Sequence, residues 1–110
     1  MASSVAAQAP VFAALGDETR LRIVSRLGEH ERLSISSLCA GEAVTRQAIT
    51  KHLHVLEKAG LAESTRQGRE QLWQLKAGRV EEARSWLDEI SRRWDEKLER
   101  LRAFVEGPQD

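Results

Sequence analysis

Five polar side chains between residues 46 and 54 could form hydrogen bonds with the edges of DNA bases or with phosphate groups. They are Arg46, Gln47, Thr50, Lys51 and His54. Arginine and lysine can donate to guanine, and glutamine can pair with adenine, in the major groove of a duplex. A solvated face of an ordinary surface helix has a similar composition. The chemistry open to these side chains therefore depends on the elements that position them.

The five side chains share a predicted helix over residues 45–60, whose other face is apolar. Thr45 is a suitable N-cap because its hydroxyl can accept a hydrogen bond from a backbone N–H of the first turn, and we include it among the candidate DNA contacts. Gly60 suits the left-handed residue that ends many helices. His52 lies beside the apolar face, where we expect a packed, hydrogen-bonded histidine. The apolar face itself comprises three residues at helical spacing: Ile49, Leu53 and Leu56.

Two helices are predicted ahead of this segment. The first covers residues 5–15 and is expected to be irregular before Pro10, because proline lacks a backbone N–H. The second covers residues 18–27, with Asp17 as its N-cap and Gly28 as its end. In the second helix we expect four apolar residues to be buried: Leu21, Ile23, Val24 and Leu27. We expect its three arginines to remain in solvent: Arg20, Arg22 and Arg26.

A brief helix is predicted just before residue 45, so that two helices follow each other closely. It is expected to be capped by Ser36 or Ser37 and to be preceded by a short extended segment at residues 33–35. A turn that contains Gly41 joins the two helices. Two helices connected in this way form the helix-turn-helix pattern, here over residues 36–60.

The periodicity changes to that of strands after residue 60. Residues 61–66 and 70–75 are both of strand length, and Gly68 in the intervening Gln67-Gly68 can supply a positive-φ turn position. By alternation, Trp73 and Leu75 face the core. We interpret residues 61–75 as the wing of a winged helix-turn-helix domain. The tip of this wing adds three candidate DNA contacts: Arg66, Gln67 and Arg69.

The longest helical pattern covers residues 80–105 and ends at Gly107-Pro108. A domain this small cannot cover one whole side of so long a helix, and an exposed stripe with two tryptophans is a liability. We therefore expect a partner surface, most simply a second copy of the chain. The residues predicted to form that interface are Trp86, Leu87, Ile90, Trp94, Leu98, Leu101 and Val105.

Bulk composition favours one globular domain over residues 1–110, with 41% hydrophobic and 31% charged residues. The net charge of zero does not favour nucleic acid, but the charge is unevenly placed. Residues 44–76 carry six cations and three anions, whereas residues 78–110 carry seven cations and nine anions. We expect no membrane partner and a cytoplasmic location, because no apolar run spans a bilayer, no secretion signal is apparent, and the single Cys39 suits a reducing compartment.

Three segments together resemble the ArsR-type winged helix regulators: FAALGDETRLRIVSRL, TRQAITKHLHVLEKAGL and GREQLWQL. The resemblance extends from about residue 11 to residue 105, and the tail is similar to a subset with a long, tryptophan-bearing final helix. It implies a mainly α fold with a small β-hairpin, in a prokaryotic homodimeric repressor. Arg46, Gln47, Thr50 and Lys51 would stand at the positions that contact the groove, with the Arg66–Arg69 wing over flanking DNA.

The resemblance also implies that the first and last helices, residues 5–15 and 80–105, pack at the dimer interface. Three residues of the first helix thereby join the predicted interface: Val5, Phe12 and Leu15.

The sequence departs from the metal-sensing members of this family. Many of them use a pair of cysteines in the short helix before the reading helix, where this chain has SSLCAGEAV with Cys39 alone. Others bind zinc through the final helix, which here has no histidine. Structural zinc needs about four nitrogen or sulfur ligands, and the sequence shows no such cluster. We therefore predict no metal and no cofactor.

The predicted function is sequence-specific repression by a homodimer bound to a palindromic DNA operator, without response to metal. One alternative is a winged helix module whose reading face binds a protein. Another is a repressor that responds to a metal or to oxidation of Cys39. The sequence does not indicate a small-molecule effector. An enzyme is not predicted, since the sequence has no glycine-rich phosphate loop and no nucleophile beside a base.

Overall fold

The computed structural model describes residues 4–107, which form five helices and three strands. In chain order these are α1 (Val5–Leu15), α2 (Glu18–Glu29), β1 (Leu33–Ser34), α3 (Ile35–Cys39), α4 (Arg46–Lys58), β2 (Ala62–Gln67), β3 (Glu70–Leu75) and α5 (Ala77–Glu106). The predicted mainly helical winged helix fold is confirmed. The hairpin is extended by β1, which gives an antiparallel sheet in the order β1-β3-β2. Pro108 and the first three residues of the N-terminal segment lie outside the described residues.

One core, to which α1–α5 and the hairpin all contribute, holds α4 in place. Trp73 of β3 is its largest fully buried side chain. The backbone N–H of Lys76 donates to the carbonyl of Leu61 at 2.9 Å, which closes the base of the hairpin. The buried apolar residues are Val11, Ala14, Ile23, Leu27, Leu38, Ile49, Leu53, Leu56, Leu61, Ala62, Trp73 and Ala83. The predicted apolar face of α4 therefore lies entirely in this core.

The helix α1 is continuous across Pro10, so the predicted irregular segment before the proline was wrong. The Ser4 hydroxyl accepts a hydrogen bond from the backbone N–H of Ala7 at 3.1 Å and caps the first turn. On one side of the helix Gln8 and Val11 are buried. Capping and packing on both sides of Pro10 thus hold the helix together in spite of the missing N–H.

The helix α2 was predicted to end at Gly28, but it continues to Glu29. Glycine costs only about 1 kcal/mol in a helix interior, and Gly28 does not have the positive φ of a terminating glycine. Leu21, expected in the core, is half exposed. Arg20 and Arg26, expected in solvent, instead bond to neighbouring elements. Arg26 donates to the carbonyl of Ser37 at 2.6 Å, which satisfies an open carbonyl of α3.

The cap of α3 is Ser34, not Ser36 or Ser37. The Ser34 hydroxyl accepts a hydrogen bond from the backbone N–H of Ser37 at 3.1 Å. Ser34 can do this because it ends β1, where its backbone is extended, as an N-cap requires. Gly41, with φ of +82°, begins the turn from α3 toward α4. The helix-turn-helix unit is thereby complete.

The last helix is longer than predicted. It begins at Ala77, three residues before residue 80, and extends to Glu106. Ala83 is the one buried residue of its thirty, and the molecule measures 72 Å along its longest axis. No helix among the described residues combines the length and the apolar character needed to cross a membrane.

Candidate nucleic-acid interface

The start of α4 is capped as the sequence predicts. The Thr45 hydroxyl accepts a hydrogen bond from the backbone N–H of Ala48 at 3.1 Å. The first turn of α4 contains no acidic residue, so the partial positive charge of this helix end is not neutralised from within the turn. Because Thr45 is exposed and Thr45 and Arg46 stand at this end, the end is suited to a phosphate group.

The outer side of α4 presents three predicted contacts to solvent: Gln47, Lys51 and His54 are all exposed. Thr50 differs, because it is half-buried and its hydroxyl donates to the carbonyl of Arg46 at 2.9 Å. Together Arg46, Gln47, Thr50 and Lys51 line a shallow depression of about 370 Å³. The structure therefore brings these four predicted residues together on one surface.

Arg46 leans from α4 toward the wing. Its Nη1 atom donates to the Ser36 hydroxyl at 3.2 Å, and its side chain lines a second, polar cavity of about 280 Å³. Arg66 and Arg69 line the same cavity from the hairpin, and Glu70 is the one acidic residue among the lining residues. Three predicted contacts, one from α4 and two from the wing, therefore surround a single cationic cavity. Sequence reasoning did not find Ser36, because its role depends on where α3 and α4 meet.

The wing is a tight hairpin in which Gln67 pairs with Glu70 and Ala62 with Leu75. Its two turn residues are therefore Gly68 and Arg69, one position later than the predicted Gln67-Gly68. Gly68 has a φ of +64° and stands at the first turn position, which suits glycine. Arg66, Gln67 and Arg69 are all exposed at the tip.

The two histidines of α4 face different neighbours. Nδ1 of His54 lies 3.3 Å from Oε1 of Glu57, and its ring meets the edge of the Trp73 ring at a centroid distance of 6.0 Å. His52 faces α2, with its Nδ1 atom 3.2 Å from Nη1 of Arg20. The prediction of a packed, hydrogen-bonded His52 is confirmed.

The N-cap of α2 adds a negative charge near His52. Oδ2 of Asp17 accepts a hydrogen bond from the backbone N–H of Arg20 at 3.0 Å and lies 3.9 Å from Nδ1 of His52. The bond from the Arg20 N–H holds the pKa of the Asp17 carboxyl below its ordinary value, although partial desolvation acts in the opposite direction. The positive charge of Arg20 lowers it further. Asp17 is therefore a carboxylate throughout the physiological pH range.

Cys39 is a half-buried free thiol at the end of α3. Within residues 4–107, no three histidine, cysteine or acidic side chains are grouped closely enough to hold a metal ion. Independence from metal stays a prediction.

Comparison with known proteins agrees with this geometry. A helix-turn-helix domain family matches residues 15–65, from the end of α1 into β2. The ArsR-like transcriptional regulator from Rhodococcus sp. RHA1 superimposes with a TM-score of 0.75 and 39% sequence identity, over 90% of this chain and 92% of that one. The chain belongs to the ArsR-type winged helix-turn-helix transcriptional regulators. As a member of this family it is a DNA-binding transcriptional regulator.

Other relatives support the same assignment. This ArsR-type regulator is 45% identical over 65 residues to the HTH-type transcriptional regulator YuzN of Bacillus subtilis (strain 168), across 54% of this chain and 71% of YuzN. It is 37% identical over 59 residues to the arsenical resistance operon repressor of Escherichia coli (strain K12), across 54% of this chain and 50% of that repressor. The homodimeric winged helix-turn-helix domain of Mb0332 from Mycobacterium bovis superimposes with a TM-score of 0.63 and 25% identity, over 87% and 85% of the two chains.

Proposed function

We propose that this regulator is a homodimeric repressor that binds a palindromic operator, with one α4 helix in the major groove of each half-site. The observation that carries the proposal is the exposed pair Gln47 and Lys51 on α4, a helix whose opposite face is fully buried. A helix held in this way can bring amide and ammonium groups to base edges in a fixed register. A role on the chromosome of a prokaryotic cell places the protein in the cytoplasm.

We assign different tasks to the cationic and amide side chains of this surface. Gln47 and Lys51 project from the outer side of α4 and would contact base edges. Arg46 is bonded to Ser36 of α3 and lines one cavity with Arg66 and Arg69 of the wing, and these three arginines would contact phosphate groups. About half or more of protein–DNA hydrogen bonds go to the backbone, so this division is the usual one. Specificity would then rest mainly on Gln47 and Lys51.

Dimerisation would join two such surfaces at a fixed distance. The side chain of Trp94 is 60% exposed and that of Leu98 is 56% exposed, although both are apolar and lie in the distal half of α5. A second copy of the same helix would remove this surface from water. The homodimeric state of the Mb0332 domain, which has the same fold, supports this proposal. The proposed interface comprises Val5, Phe12, Leu15, Trp86, Leu87, Ile90, Trp94, Leu98, Leu101 and Val105.

Repression would follow from occupation of the operator, and the similarity to the arsenical resistance operon repressor of Escherichia coli supports a repressor. We propose that operator release does not depend on metal, since Cys39 has no second cysteine in α3 to share a metal ion with. The proposal gives the chain no catalytic role, since a pair of reading helices acts by binding alone.

The proposal is tested by selecting fragments of genomic DNA with the purified full chain. We expect the recovered fragments to share an inverted repeat and to be bound by two chains per duplex. Weak retention of random duplex at low salt should already be measurable, because phosphate contacts supply non-specific binding. Failure to retain any duplex at low salt would contradict the proposal and would favour a protein as the partner of the α4 surface.

A further inference from the structure

We propose that Arg20 is a positioning residue that links the dimerisation helix α1 to the reading helix α4 and thereby sets the distance between the two reading helices of the dimer. The inference rests on the proposed function, since it assumes a dimer on a two-part operator. Arg20 belongs to neither surface. It is half-buried at the start of α2, between the two helices that it contacts.

One side of the Arg20 guanidinium binds the end of α1. Its Nε atom donates to the carbonyl of Ala14 at 2.5 Å, and Nη2 donates to the carbonyl of Ala13 at 3.5 Å. The last carbonyls of a helix have no partner within that helix, and they favour a cation. The last turn of α1 contains no basic residue of its own. The carbonyl of Ala13 also accepts from the backbone N–H of Gly16 at 3.2 Å, so Arg20 adds the donor for Ala14 and the charge that the end of α1 lacks.

The other side of the same guanidinium binds α4. Nη1 of Arg20 lies 3.2 Å from Nδ1 of His52. Because a guanidinium can only donate, Nδ1 must be the acceptor, and the proton of the neutral ring is then on Nε2. Asp17 holds the Arg20 backbone in place, since its carboxylate accepts a hydrogen bond from the Arg20 backbone N–H at 3.0 Å.

The bond between Arg20 and His52 joins α4 to α2. At its N-terminal end α4 is held to α3 by Arg46 and Ser36, and its buried face is apolar. The hydrophobic effect has no preferred direction, whereas hydrogen bonds from a planar guanidinium require a particular geometry. The planar guanidinium of Arg20, fixed at three acceptors, thus fixes the position of α4 along and around its axis relative to α1. The dimer interface would fix α1 in turn. Arg20 would thereby fix the distance between the two α4 helices of the dimer, and this distance sets the spacing of the half-sites that the dimer binds.

The test uses an operator selected by the wild-type protein and two derived duplexes, one with a single base pair inserted between the half-sites and one with only a single half-site. Arg20→Met keeps most of the side-chain volume and removes the donors. We expect it to bind the intact operator about 3- to 30-fold more weakly, the range of such couplings, and to bind the single half-site as the wild type does. We also expect it to discriminate less than the wild type against the inserted base pair.

Arg22→Met is the matched control, because Arg22 lies on the same helix but its side chain bonds to Glu18, Thr19 and Glu42. Its spacing preference should equal that of the wild type.

His52→Leu removes the acceptor without touching the end of α1, whereas His52→Asn retains an acceptor at the position of Nδ1. We expect His52→Leu to relax the spacing preference, His52→Asn to restore it, and the double variant with Arg20→Met to be no worse than Arg20→Met alone.

A purely structural role gives a different pattern. Arg20→Met would then bind operator and half-site more weakly by the same factor, with the spacing preference intact, and this result would overturn the proposal. If Arg20→Met does not fold, the two His52 variants decide the matter by the same spacing measurement. If the wild type itself binds no duplex, the proposed function fails, and the two failures are thereby distinguished.

Discussion

The indole ring of Trp86 in α5 lies 5.5 Å from the phenyl ring of Phe12 in α1, with the two ring planes tilted by 46°. Both side chains are half-buried. The contact joins the first and last helices within one protomer, so that their outer sides form one continuous surface. Beyond this contact five apolar residues of α5 are exposed: Trp94, Leu98, Leu101, Phe104 and Val105.

Leu98→Glu should convert the dimer into a folded monomer. Leu98 lies on the exposed apolar side of α5, and a charge buried without a partner at an interface costs about 3 kcal/mol or more. Sedimentation equilibrium measures the change in dimer affinity, and circular dichroism checks that the fold is kept. Arg92→Glu, on the opposite side of the same helix, should leave the dimer intact. An unchanged association constant in Leu98→Glu would exclude this surface as the interface.

Lys51→Ala should weaken binding to the operator. Loss of one base pairing costs about 1–3 kcal/mol, and loss of a phosphate contact instead lowers the salt dependence by about one unit of slope. Fluorescence anisotropy at several salt concentrations distinguishes the two outcomes, with Arg92→Ala as a control that removes a distant cation. If affinity and slope both match the wild type, Lys51 does not contact DNA.

Two glycine substitutions should change stability in opposite directions. An added Cβ meets no atom within 4 Å at either Gly28 or Gly68, so only the backbone conformation matters. Gly28 lies in the last turn of α2 without a positive φ, so alanine should raise the free energy of unfolding by about 0.5 kcal/mol. Gly68 has a φ of +64°, where alanine should lower it by about 1 kcal/mol or more. Urea unfolding measures both, and equal shifts would contradict the described wing turn.

Asp17→Asn should reduce the loss of stability in acid. The pKa of Asp17 is lowered in the folded protein from its ordinary value of 3.8, so the unfolded chain binds a proton more readily. The stabilisation is therefore fully present at neutral pH and is lost as the pH falls below 3.8 toward the folded pKa. Asparagine keeps the cap without the charge. The free energy of unfolding, measured at several pH values between neutral and acidic, should fall less steeply with pH for the variant than for the wild type. An equal slope in both proteins would show that Asp17 does not contribute to this dependence.

The helix α4 and the wing could be predicted because their signals are local. Helical spacing of Ile49, Leu53 and Leu56 gives the buried face, and the change to strand periodicity after residue 60 gives the hairpin. The N-cap residue of α3 could not be predicted from local sequence in the same way. Ser34 is chosen over Ser36 and Ser37 because Leu33 pairs with Trp73, and a single sequence does not reveal a pairing over forty positions.

The arginines of α2 illustrate the same limit. Arg20 and Arg26 were placed in solvent because charged side chains are usually exposed. Each instead donates to carbonyls at the end of a neighbouring helix, and these partners become visible only when the helices are packed. The predicted DNA contacts and dimer residues stay predictions, although the structure brings Arg46 and the wing arginines to one cavity.

Methylation interference on the selected operator tests the paired reading helices most directly, because methylation of guanine N7 blocks the major groove alone. We expect two interfering clusters related by a dyad and separated by about 34–36 Å along the axis of the duplex, or a multiple of this distance. A single cluster, or binding that tolerates N7 methylation throughout, would contradict the placement of α4 in two major grooves.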